Sequence, residues 1–278
     1  MPRLIVAVAV WLTAASNANA EPGSQRVTES PWHVAIAVGY GEYSNPLIQS
    51  DDVPIVVDLD IAWFGERAFF DNGDAGYTLH DGDDFTLSVV GRINSDRVFF
   101  NRTKTRLVTF SQLVTDTTTG AISEVNVTQP LAIPDRDYAI EAGLELLTSG
   151  EWGHLQMSLY HDISGVHEGY EIYANYARPF RSGRWLVEPS FAASYKSDRR
   201  NDYFWGVAAD EASPALPRYT ARSGIGFSGR LMLGYQLTKH WVAVGVVQSE
   251  KLPSTVSNSP LVKDESVVGH YVGLQYRF

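Results

Sequence analysis

The last ten residues, GHYVGLQYRF, constrain this chain more than any other segment. Successive side chains of an extended strand point to opposite faces. His270, Val272, Leu274, Tyr276 and Phe278 therefore share one face, and Tyr271, Gly273, Gln275 and Arg277 share the other. The first face is mostly apolar and ends in a C-terminal phenylalanine, whereas the second is small or polar. An apolar outside, a polar inside and a terminal aromatic mark the last strand of a bacterial outer-membrane β-barrel. The edge strand of a soluble sandwich fits the same alternation, so the rest of the chain has to decide. On the barrel reading, Leu274, Tyr276 and Phe278 form the signal by which the barrel-assembly machinery recognises the chain.

The opposite end agrees. Arg3 supplies a positive start, and Leu4 to Ala15 is an apolar run too short to span a bilayer as a helix. Ala18-Asn19-Ala20 fits the small-x-small cleavage pattern. Residues 1–20 read as a secretory signal peptide cut after Ala20, and 21–31 as a polar periplasmic tail. Residues 32–278 are then a single barrel domain. The chain has no cysteine, which excludes disulfides, thiol chemistry and a lipobox. No later run is apolar enough for a transmembrane helix. The net charge of -10 argues against nucleic acid as a partner, because such binding needs a basic surface.

Alternation predicts strands near 32–40, 55–63, 84–94, 97–112, 138–148, 152–161, 168–180, 185–195, 222–236, 240–250 and 268–278. Trp32, Val34, Ile36, Val38 and Tyr40 form one lipid face, and Ile55, Val57, Leu59, Ile61 and Trp63 a second. Val244 and Leu274 are assigned to the same outward surface. The segment 67–80 is irregular and contains Asp71-Asn72-Gly73. Connector lengths favour treating it as one strand. Outer-membrane barrels have short periplasmic turns and long external loops. With 67–80 counted once, every long connector (41–54, 113–137, 196–221, 251–267) falls on the external side. The expected fold is an all-β, transmembrane, antiparallel up-and-down barrel of 12 strands. Ten is the alternative, if weak strands within 67–112 lie outside the wall.

Chemistry is sparse. His161, Asp162, Ser164, His167 and Glu168 bring serine, histidine and carboxylate within eight residues. They fall in a tight external loop with Ser164-Gly165 as a turn signal, which favours a structural role. Their spacing matches no standard metal-ligand pattern. Asp81, Gly82, Asp83 and Asp84, and likewise Asp71 to Asp74, resemble calcium turns in composition only. No catalytic, metal or cofactor-binding residue is assigned. By alternation Asp58, Asp60, Arg92, Glu141, Glu145, Glu171, Glu188, Arg222 and Arg230 point into the lumen. Opposed charges there either fill a narrow barrel or line a small aqueous path. The external segment 196–221 holds the aromatic run Tyr203, Phe204 and Trp205. Such rings are costly to leave in water. They either fold into the barrel mouth as a lid, with nearby basic residues facing lipopolysaccharide, or extend a strand beyond the membrane.

Several stretches carry a family resemblance: WHVAIAVGYGEYSNPL, DNGDAGYTL, DYFWGVAADEA at 202–212, YTARSGIGFSGRLMLGYQLTKHW at 219–241, NSPLV at 258–262 and the terminal YRF. In order and spacing the chain resembles the MltA-interacting protein (MipA/OmpV) family of outer-membrane proteins. The resemblance implies a cell-outer-membrane barrel of a Gram-negative bacterium with no established enzymatic activity. Some members of that family are scaffolds joining a lytic transglycosylase to a murein synthase, both peptidoglycan-processing enzymes, and a scaffold is the role expected here. The alternative it leaves open is a narrow channel or a surface adhesin acting through external loops.

Overall fold

The computed structural model describes residues 31–102, 106–115, 122–131 and 133–278. The cleavage site at Ala18 and Ala20 and residues 21–30 lie outside the described residues. The strands in chain order are β1 (Trp32–Tyr43), β2 (Val53–Phe64), β3 (Ala68–Asp71), β4 (Asp74–Asp81) and β5 (Thr86–Ile93). They continue as β6 (Arg106–Thr115), β7 (Ile122–Leu131), β8 (Ile140–Gly150), β9 (Gly153–Asp162) and β10 (Tyr170–Ala177). The last five are β11 (Phe180–Ser182), β12 (Trp185–Lys196), β13 (Gly224–Gln236), β14 (Trp241–Lys251) and β15 (Ser266–Arg277). A 3-10 helix spans Asp96–Arg102, and α1 (Asp198–Trp205) and α2 (Ser254–Ser257) sit in later connectors.

The wall runs β1-β15-β14-β13-β12-β10-β9-β8-β5-β4-β3-β2, and β2 returns to β1. All pairings are antiparallel. Short β11 resumes the line of β10 against β12, beyond the interruption at Arg178-Pro179. The wall is thus a closed barrel of 12 strands, although β2 meets β3 only at Ala62, Trp63 and Phe64. Closure is what permits a sheet to sit in hydrocarbon, because every backbone donor and acceptor must find a partner. Outward positions are apolar, as Phe191, Phe227, Val272 and Leu274 illustrate. Inward positions are polar or small, such as Glu145, Ser158, Glu188, Ser190 and Gly234.

The count of twelve matches expectation, but two strands differ from the sequence assignment. Residues 67–80 do not form one strand. They form the hairpin β3–β4, turning at Asn72-Gly73 with φ of 51° and 109°. Two successive positive φ values define the primed turn that suits the twist of a hairpin, and Asn-Gly is its preferred pair. The Asn72 side chain fixes the turn by accepting from the Ile61 N–H and donating to Asp60. Conversely, 97–112 is no wall strand. It begins with the 3-10 helix and continues into β6, which pairs with β7 alone. The two differences cancel. Residues 81–85 become an inner-rim turn, and 94–139 becomes a single long connector on the outer rim. Here the inner rim is the one at which β1 starts and β15 ends.

Three positions change face. Ile55 packs against buried lumen residues, not lipid. The cause is a register shift between Val38 and Gly41 of β1, which reverses the parity of outer β2. Val244 is buried in the lumen with Ala37, Met232 and Tyr271, so it does not belong to the outward surface. Arg222 is exposed in the connector before β13 and does not point into the barrel.

Candidate functional site: a plug in the outer mouth

Four outer connectors close over the barrel mouth: 44–52, 94–102 with 133–139, 197–223, and 252–265. Their apolar side chains make one buried cluster that includes Tyr43, Leu47, Phe99, Phe100, Phe204, Trp205, Leu216, Val256 and Leu261. Residues 198–205 form α1, a helix, and so do not extend a strand. Phe204 and Trp205 are fully covered: Trp205 lies 6.0 Å from the Phe99 ring and 5.8 Å from that of Phe100. Tyr203 is half-buried and accepts from the Asp137 N–H through its hydroxyl at 2.8 Å. Cross-loop bonds hold the layers. Ser259 Oγ donates to the Trp205 carbonyl at 2.6 Å, and Asn201 Nδ2 to that of Arg222 at 2.9 Å. Arg136 grips Glu211 through both guanidinium nitrogens, at 2.6 and 3.1 Å. Burial raises the Glu211 carboxyl, but the Arg136 hydrogen bond and charge more than offset it and hold the group below its ordinary value.

Beneath α1 lies a charged layer. Arg200 is almost entirely buried and reaches Glu171 at 2.6 Å, Glu141 at 3.1 Å and Asp96 at 3.1 Å. Arg92 bonds Glu141 at 2.9 Å and pairs with Glu171, and its guanidinium lies 3.7 Å above the Tyr160 ring. Lys196 Nζ donates to Asp96 at 3.0 Å, and Asn94 Nδ2 to Glu141 at 2.7 Å. Three cations (Arg92, Lys196, Arg200) thus meet three carboxylates (Asp96, Glu141, Glu171). The layer is electrically balanced, which is the condition for burying charges at all. Burial alone would raise Asp96. Lys196 and Arg200 reverse that and hold it at about 2. The Arg200 guanidinium, despite burial, is held above its ordinary value by Glu171, Asp96 and Glu141.

The DISGVHEG loop joins this layer instead of forming a catalytic set. Asp162 accepts from the N–H groups of Ser164, His167 and Glu168 and from Ser164 Oγ at 2.6 Å. Ser164 Oγ also accepts from the Ile140 N–H. The buried His167 ring accepts from the Gly169 N–H and sets Nε2 3.3 Å from Glu141. Ser164 and His167 thus both engage Asp162, with the serine hydroxyl donating to it and the His167 ring taken up by Gly169 and Glu141, and His161 is exposed on the outer surface. No group of three or more His, Asp or Glu side chains placed to hold a metal exists among the described residues. Asp81 and Asp84 sit at an inner-rim turn, with Thr86 donating to Asp81 and Thr148 to the Asp84 carbonyl. Deeper in the lumen, Asp58, Glu188 and Tyr271 are buried, and each has polar atoms without a hydrogen-bond partner. At the far end, Tyr276 packs edge-on against Trp241 and Phe278, and Leu274 is outward and exposed.

Alternation in the sequence placed Arg92, Glu141 and Glu171 inside. It gave no hint of Asp96, Lys196 or Arg200 as their partners, because those come from connectors and a strand end. Asn94, Arg136 and Glu211 were missed for the same reason. The one available signal was the mixture of acidic and basic residues beside the aromatic run.

The family model for MltA-interacting protein MipA matches residues 34–278. Outer membrane protein Omp26La of Vibrio anguillarum is 27% identical over 128 residues, 46% of this chain and 50% of that protein. MltA-interacting protein of Escherichia coli K12 is 25% identical over 148 residues, 52% of this chain and 59% of that protein. The match thus spans about half the length of these curated relatives. Among solved structures, a loop-deletion mutant of OmpT, an outer membrane protein of Vibrio cholerae, aligns over 89% of this chain and 99% of its own. Its identity is 7% and its TM-score 0.37.

Proposed function

The chain belongs to the MltA-interacting protein MipA family of outer-membrane proteins, and we propose that it acts there as a sealed, non-catalytic anchor for peptidoglycan-processing enzymes. The observation that carries this reading is the plug. A mouth filled by buried aromatics and a layer of paired charges weighs against the main alternative, a constitutive channel. A relative named for its interaction with MltA supports the choice of partner, a lytic transglycosylase, with a murein synthase as the second. The inner-rim turns are short, so the docking face is the flat rim itself and the residues preceding β1. Stable interfaces bury about 800 Å² per partner, so most of that rim must be engaged. The plug aromatics Tyr203, Phe204 and Trp205 act on this reading as a lid, with Arg199 and the exposed Arg222 directed toward lipopolysaccharide.

The test is a pull-down of the full chain from detergent-solubilised envelope. Co-purification of a lytic transglycosylase or murein synthase is expected. Their absence, together with ion conductance in planar bilayers, would replace the anchor with a channel. Their absence with a silent bilayer would point to a surface role of the external loops.

A further inference from the structure

The wall has a notch. β3 pairs with β2 only at Ala62, Trp63 and Phe64, and the hairpin turns at once through Asn72. Outward of Ile61, β2 continues through Val53–Asp60, eight residues with no strand beside them on that side among the described residues. At about 3.3 Å per residue this open edge is about 26 Å long. The Ile61 N–H and C=O both face β3. Backbone groups of an antiparallel strand alternate sides, so those of Leu59 and Val57 face the notch. Apart from the lumen-facing Asp58 and Asp60 the side chains there are apolar, and Val56 is 53% exposed. This edge lies in the outer half of the wall, where hydrocarbon offers its backbone no hydrogen bonds. A free strand edge is a template for another strand. Across the notch stands β5, separated from β2 by the space of the two strands that stop short, three spacings or about 14 Å.

We propose that the chain's own β6–β7 hairpin docks into this notch, with β7 antiparallel to β2, and completes the outer wall. Three observations converge. The hairpin has the width of the gap, two strands, and its ten-residue strands cover the eight-residue edge. It belongs to the 94–139 connector, which leaves from the outer end of β5 and so starts at the notch. Direction fits: entering from the outer rim beside β5, β6 runs inward and β7 returns outward, so β5, β6, β7 and β2 alternate. Undocked, the hairpin pairs with no wall strand, and the notch is a lateral opening at lipid depth.

The absence of native cysteine makes the test clean. Leu59→Cys is combined in turn with single cysteines at positions 123 to 129, and intact outer membranes are oxidised. Only directly opposed positions have the Cβ separation a disulfide needs. An intramolecular disulfide is expected at one β7 position, weakening in steps of two residues. Disulfide-linked dimers from Leu59→Cys alone would overturn the proposal, since a second copy would then own the edge. So would failure at every β7 position. A second measurement covers variants that assemble poorly. An environment-sensitive dye on Leu59→Cys is read against a lipid-borne quencher in the full chain and after deletion of 106–131. Quenching should rise on deletion, and an unchanged signal would overturn the docking.

Discussion

Arg200 shows how much rests on one residue. It is the largest buried cation of the plug and touches all three carboxylates. Removing one member of a buried ionic network strands the others and costs about 3–5 kcal/mol. Arg200→Met should therefore loosen the plug by roughly that amount, seen as a lower urea midpoint for the change in Trp205 fluorescence. Asp96 sets the acid limit. Its carboxyl is held at about 2 in the folded state, against about 3.9 in an unfolded chain. A depressed carboxylate contributes stability that is complete above about pH 4 and disappears as pH falls to about 2. The Asp96 contribution should thus be nearly unchanged between pH 7 and 5 and fade between about 4 and 2, and Asp96→Asn should lose less stability over that window than the parent chain, with Glu211 still contributing. On the outer surface, Leu274→Arg should cost about 2–4 kcal/mol near the bilayer midplane. Gln275→Arg, one residue along, faces the lumen and should escape that lipid penalty. Equal losses in refolding titrations would contradict the register of β15.

At the scale of elements, α1 and the β3–β4 hairpin behave differently. The helix is short and has no side-chain cap bond at Ser197, so it is held by what it buries. Truncating Phe204 and Trp205 to alanine removes two fully covered aromatics, each typically worth 3–5 kcal/mol in a core. The cluster touches the wall at the strand-end residues Tyr43, Val53 and Val267, while the ring of strand pairs is held by backbone bonds. The double variant should keep its heat-modifiable gel shift and gain conductance; loss of the shift would mean that plug and wall fold as one unit. The hairpin instead depends on backbone geometry. Gly73 sits at φ 109°, where a β-branched side chain is strained. Gly73→Val should destabilise by about 1–3 kcal/mol and leave the outer plug and its fluorescence unchanged.

For the whole molecule, closure dominates. A barrel with β1 bonded to β15 unfolds only by breaking a complete ring of strand pairs. Unheated and boiled samples should therefore migrate differently in detergent gels. Identical migration of a soluble protein would contradict the fold. Phe278 packs edge-on against Tyr276 beside Trp241 at the inner rim, so changing it to aspartate should lower the amount assembled in the membrane. That drop should exceed the loss of stability of the fraction that does fold, if the terminal strand is also read during insertion.

The sequence by itself determined the class of fold, the strand-borne lumen charges such as Arg92, Glu141 and Glu171, and the family, because each follows from local alternation and residue order. Alternation in GHYVGLQYRF needs no partner strand to be legible. It failed where the local signal was silent or shared. The run VAVGVV around Val244 is apolar at nearly every position, so its parity appears only through pairing with β15. Ile55 alternates correctly with its neighbours, yet a register shift in β1 turns it inward. Residues 106–112 look like a strand because they are one, but periodicity does not say which sheet receives it. Asn72-Gly73 did announce a turn, and an argument from loop lengths overruled it. Tertiary structure alone decided the plug. Asp96, Glu141, Glu171 and Arg200 lie far apart in the chain, and their attraction is felt only after closure of the barrel brings them into one dry layer, where unpaired charge is intolerable.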